Sequence, residues 1–133
     1  MLFDSHCHLD HHLYAKDIKQ ILERAKKARI KFIITNGIDY ETNLTSLKLA
    51  EMYPIIKPAL GFYPEDALDR EGYFESKNKD KITKATLKDN LKLIEQNKDK
   101  IIAIGEVGLD LYHGKNIEQQ TEDLKRIIEL AIK

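Results

Sequence analysis

Apolar residues along this chain recur with two different rhythms. Met1 to Phe3 is a short apolar start. In "KDIKQILERAKKARI" the residues Ile18, Ile21, Leu22, Ala25 and Ala28 recur at helical spacing. "KFIITNG" then packs Phe32, Ile33 and Ile34 into a continuous run that ends at Asn36-Gly37, as a buried strand would. A second helix is expected in "YETNLTSLKLAEMY" on Leu44, Leu47 and Ala50, and a third strand in "IIKPALG", ending at Gly61. Pro58 weakens that strand, because proline has no N–H for the ladder. Residues 62–82 are polar and aperiodic and are expected to form an excursion loop. "ATLKDNLKLIEQNKDK" carries Leu87, Leu91 and Ile94 as a third helix. In "KIIAIGEVG" the unbroken run Ile101 to Ile104 suits a parallel strand covered on both faces. "NIEQQTEDLKRIIELAIK" closes as a helix with Leu124, Ile127, Ile128 and Ala131 inward.

The order is β-α-β-α-β-loop-α-β-α. Strict alternation implies an α/β domain with a parallel sheet and right-handed crossovers. At 133 residues, a single domain is expected over residues 1–133.

Charge narrows the function. Lys plus Arg is 22 and Asp plus Glu is 22. A neutral chain argues against broad electrostatic capture of nucleic acid. It leaves open an enzyme that holds a phosphodiester through metal ions. Cys7 is the one cysteine, so no intrachain disulfide forms. Neither an apolar run of ~20 residues nor a basic-then-apolar N-terminal leader is present, so a cytoplasmic protein without membrane association is expected.

The chemistry concentrates where strands should end. On a strand, residues two apart share a face, so His6 and His8 point together with Asp4, and Cys7 points away. Five histidines in 133 residues give roughly 0.2 such pairs by chance. The pair therefore reads as metal ligands or as coincidence, with its place at the end of a first strand favouring ligands. Glu106 follows a buried run and Gly105; it is either paired or metal-bound, or an exposed loop residue. Asp110 reads equally as a hydrogen-bond acceptor outside the ligand set and as a helix-start residue. Tyr63, in "LGFYPED", could donate to a phosphate or be a half-buried loop tyrosine, and Glu65 and Asp66 read as solvated. His11 and His12 fit a solvated loop, and His113 fits either the same mouth as Asp110 or the surface. Cys7 has no histidine base on its own face, so a nucleophilic role is not expected. The chain has neither a P-loop nor a G-x-G-x-x-G.

Taken together, "FDSHCHLD", "LGFYPED" and "AIGEVGLDLY" resemble the TatD family of metal-dependent hydrolases, in order and spacing, over the whole chain. The resemblance implies an amidohydrolase-type (β/α)8 TIM barrel with one or two divalent metals (Mg, Mn or Zn) at its C-terminal mouth. It implies deoxyribonuclease activity, often 3′ exonuclease, with DNA as substrate. By position, His6 and His8 match first-strand metal ligands, and Glu106 matches the catalytic carboxylate that can bridge two metals. Gln119 resembles a recurrent glutamine. Where the family has Gly-x-His-Pro, this chain has Gly61-Phe62-Tyr63-Pro64, which puts a substrate-contacting histidine in question and leaves Tyr63 as its replacement.

Members run to about double this length, with two more metal-binding histidines and an aspartate in the part this sequence does not reach. Half a barrel would expose its first and fourth strands as edges. The expectation is a homodimer of half-barrels, or a second chain or missing segment that completes the fold. The rival functions are an inactive or accessory half-barrel and an amidohydrolase-type enzyme on a non-nucleic substrate.

Overall fold

A computed structural model describes residues 2–64 and 85–133. Most of the expected excursion loop, with Glu65 and Asp66, lies outside the described residues. The elements are β1 (Leu2–Cys7), a 3-10 turn (His12–Tyr14), α1 (Ile18–Lys27), β2 (Ile30–Asn36), α2 (Tyr40–Met52), β3 (Ile56–Phe62), α3 (Leu87–Gln96), β4 (Ala103–Val107) and α4 (Ile117–Ile132). The four strands form one parallel sheet in the order β1-β2-β3-β4. The alternating pattern predicts the parallel sheet, and the chain folds as half of a β/α barrel, as the family resemblance implies.

The strand period sorts the two faces. On β3, the residues Ile56, Leu60 and Phe62 alternate onto the helix side and are almost wholly buried. Ile33 and Ile56 pack with Leu22 and Ala25 of α1, and Leu60 packs with Leu47, Leu93 and Ile94 of α2 and α3. Phe62 meets Leu87 and Ile127 of α3 and α4. Burying each such side chain contributes about 2 kcal/mol. Capping boxes start α2 (Asp39 with Thr42) and α3 (Thr86 with Asp89). Arg29 turns the chain from α1 into β2 with φ at 62°.

Several expectations change. Ile101 to Ile104 do not form a doubly covered strand: Ile102 and Ala103 are exposed, because β4 is an edge. Pro58 does sit in the central strand β3. Its carbonyl still accepts from Ile102 N at the foot of β4 (2.9 Å), so only one rung is lost there. Phe62, expected in the loop, extends β3. The deepest face of α2 is polar, with Asn43 and Ser46 beside Leu47. On α4, Gln120 and Ile127 are buried while Ile128 and Ala131 face outward. The register thus runs seven residues from Gln120 to Ile127.

Asn43 explains the polar face. Its Nδ2 donates to Gly61 O (2.8 Å) and to Asn90 Oδ1 (3.0 Å), and its Oδ1 accepts from Gly61 N (3.0 Å). A fully buried amide so satisfied pins α2 to the last turn of β3 and to α3. Among the described residues no helix is long and apolar enough to cross a membrane.

Candidate metal centre

The C-terminal ends of β1 and β4 bring three ligand-type side chains together. His6 Nε2 lies 3.2 Å from Glu106 Oε2, and His8 Nε2 lies 3.4 Å from the same oxygen. The two imidazoles stand edge to face, 5.2 Å between centroids. One ligand atom from each of the three residues falls within 4.8 Å of the others. Metal–ligand bonds of ~2.0–2.2 Å place neighbouring donors roughly 3–3.5 Å apart, so this donor set fits one divalent ion. All three stay reachable from solvent, with side chains 50%, 28% and 34% exposed.

Why these groups meet follows from local structure. The two-residue period of β1 turns His6 and His8 to the face away from the helices. Cys7 turns to the helix side, where its Sγ lies 3.4 Å from Ile34 O. Burial, then the charge of Asp4, pushes the Cys7 thiol up to about 12. A thiol so protonated is no nucleophile. The His8 ring is oriented from behind: its Nδ1 lies 2.8 Å from the carbonyl of Asn36, the last residue of β2. The carbonyl fixes the proton on Nδ1 and turns the Nε2 lone pair to Glu106.

Glu106 reaches the site across β3. Its backbone N–H donates to Gly37 O (3.3 Å), the residue just past the end of β2. Gly61 makes this approach possible, since a Cβ there would overlap the backbone of Gly105 and Glu106.

Beneath His8 lies Asp10, which the pattern of motifs does not single out. Its side chain is fully buried. Oδ1 accepts from Thr35 Oγ1 (3.4 Å), and Oδ2 is buried without a hydrogen-bond partner among the described residues. Burial raises its pKa to about 6 from 3.8, against the opposing pull of its own backbone amide and of His8. Its spacing of two from His8 is the signal in the sequence, since it extends the alternation that His6 and His8 begin.

The remaining expected residues sit apart from this trio. Asp4 accepts from the His6 backbone N–H (3.2 Å), a contact to main chain and not to an imidazole. Asp110 lies on the loop between β4 and α4, where Tyr63 OH donates to its Oδ2. The phenolic proton expected to serve a phosphate is therefore committed to Asp110. Gln119 is exposed and bonds Asp123 (2.8 Å). Its neighbour Gln120 is the buried one, gripping Asp110 N (2.9 Å) and Asp110 O (3.1 Å). His12 opens the 3-10 turn, exposed, and His11 stacks beside it at 4.4 Å.

Comparison with known proteins follows the same lines. The model of the family described as TatD related DNase matches residues 3–133. An uncharacterized metal-dependent hydrolase, YabD of Bacillus subtilis (strain 168), is 31% identical over 98% of this chain and 46% of its own. Deoxyribonuclease TATDN3 of Homo sapiens is 33% identical over 98% of this chain and 47% of its own. The crystal structure of YjjV, a TatD homolog from Escherichia coli K12, superposes with a TM-score of 0.76 at 29% identity, over 98% of this chain and 46% of that one. The chain thus spans about half the length of the relatives it matches.

Proposed function

Since the chain belongs to the family of TatD-related DNases, we propose that it carries the first part of a metal-dependent active site that hydrolyses phosphodiester bonds in DNA. The observation that supports this is the convergence of His6, His8 and Glu106 at the C-terminal end of a parallel sheet. This is the end at which β/α barrels build their sites.

His6 Nε2, His8 Nε2 and Glu106 Oε2 would hold the ion. Zinc or manganese suits two nitrogens and a carboxylate, and magnesium would need more oxygen ligands. Held by these residues, a divalent ion would supply Lewis acidity to a phosphoryl oxygen and to water. The Asn36 carbonyl holds the His8 ring against rotation. Glu106 Oε1, the carboxylate oxygen not shared by the two imidazoles, would be the atom to take the proton of an attacking water. Solvent reaches all three side chains, as a site that takes substrate from solution requires.

A second reading is favoured by the sheet edges. Leu2 and Phe3 on β1 and Ile102 at the foot of β4 are exposed apolar residues. They suit further strands from a second copy, or from another polypeptide, and without them the site would bind metal but turn over nothing.

Calorimetry with Zn2+ and Mn2+ on the chain and on Glu106→Gln, followed by a nuclease assay on single-stranded DNA, tests both. Binding that weakens at least tenfold in the variant, with DNA cleavage lost alongside, is expected. Binding unchanged by Glu106→Gln would refute the ligand set. Metal binding without cleavage would favour the incomplete half.

A further inference from the structure

The loop between β4 and α4 rises from the same end of the sheet as Glu106, and it is built around Asp110. The carboxylate is 11% exposed and ringed by donors. Oδ2 takes Tyr63 OH and lies 2.8 Å from His113 Nδ1; Oδ1 takes the backbone N–H groups of Tyr112 (3.0 Å) and His113 (2.9 Å). The last two bonds and the His113 Nδ1 contact are all local to one turn. Two further tethers come from other elements. Tyr63 comes from the mouth of β3, 47 residues away, and the buried Gln120 clamps Asp110 main chain from α4 on both its N–H and its C=O.

That construction holds one outward-facing group in place. His113 keeps Nδ1 on the carboxylate, which leaves Nε2 as the ring nitrogen not engaged by Asp110, on a side chain 37% exposed. A histidine whose Nδ1–H is bound by a carboxylate has a fixed ring plane and a fixed protonation site. As an imidazolium it presents an Nε2–H donor, the charge-assisted kind of hydrogen bond that anionic oxygens favour. Tyr63 cannot take this role while its proton lies on Asp110.

Building on the phosphodiester reading above, we propose that His113 is a substrate-contacting residue whose Nε2 binds an anionic phosphate oxygen of the nucleic acid, with Asp110, Tyr63 and Gln120 as its positioning residues. The substrate strand then lies across the mouth from the His6, His8 and Glu106 cluster toward the β4–α4 loop.

The test follows the ring nitrogens of His113 by 15N NMR in the full chain with Zn2+ present, a diamagnetic ion that suits the two-nitrogen, one-carboxylate set. The probe is a short single-stranded DNA with phosphorothioate linkages, which resist hydrolysis. The expected result is a saturable shift of His113 Nε2, with DNA affinity about tenfold weaker in His113→Gln, as loss of one charged hydrogen bond predicts. His113 is exposed, so the variant folds, and circular dichroism checks that it has. If DNA binds and shifts signals near His6 and His8, but His113 stays still and His113→Gln binds equally well, the inference falls and the nuclease reading stands. If metal binds but the DNA does not bind at all, both fall together.

Discussion

Replacing Asp10 with asparagine exposes how much a buried carboxylate costs this fold. In the native chain the group titrates at about 6, raised from 3.8 mainly by burial. Between those two values the folded state binds more protons than the unfolded state, so stability falls as pH rises. The favourable contribution is complete below the unfolded value and is lost as pH passes through the folded one. A shift of about 2 units corresponds to about 3 kcal/mol between the extremes. From about pH 4.5 to about pH 7 the loss comes to about 2 kcal/mol. The amide in Asp10→Asn cannot ionise, keeps the shape, and retains an acceptor for Thr35 Oγ1. Its nitrogen would stand near the partnerless Oδ2 position, at a cost of about 1 kcal/mol or more. The assay is urea unfolding of both proteins with EDTA at several pH values, read as a difference so that other carboxylates cancel. The native chain should lose about 2 kcal/mol relative to Asp10→Asn across that interval, leaving the variant the more stable near neutrality. A difference that does not move with pH, or that moves the other way, would refute the reasoning.

Other outcomes follow from the same contacts. Gly61→Ala should cost about 3 kcal/mol in thermal or urea unfolding and weaken metal binding, because its Cβ overlaps the main chain that carries Glu106. Asn43→Ala should cost about 3 kcal/mol, since it leaves Gly61 N and Gly61 O buried without their partner; hydrogen exchange at Gly61 should accelerate. Cys7, with a thiol pushed up from 9.0 to about 12, should react with iodoacetamide roughly a thousandfold more slowly than a free cysteine, and at the ordinary rate in denaturant.

How much of this is readable from the chain alone depends on whether a feature is carried by period or by tertiary contact. His6 and His8 are legible because a strand alternates every two residues, and a glutamate after a buried run points to Glu106. The parallel sheet is legible in the alternation of runs, while its being half a barrel is implied only by the family resemblance. Asp10 continues the same alternation, but its consequence, burial under His8, appears only in three dimensions. The tethers of Asn43 to Gly61 and of Gln120 to Asp110 cross elements, and no spacing along the chain announces them. Gln119 and Gln120 are adjacent, so only the helix register decides which is buried, and Ile127 one heptad on is the available clue. Ile128 and Ala131 fall outward, against expectation, for the same reason. The four-residue apolar run before Glu106 looks doubly covered because sequence pattern cannot tell a central strand from an edge.

His6 and His8 belong to the first strand of the sheet and its exit, and Glu106 to the last strand, with β2 and β3 between them. An ion gripped by all three would act as a clasp across the open side of an arc. Its affinity would then gauge curvature: whatever flattens the sheet must pull the clasp apart, and whatever bends it must tighten the grip. By reciprocity, an occupied clasp holds the two edge strands at the separation that the next strand would have to match.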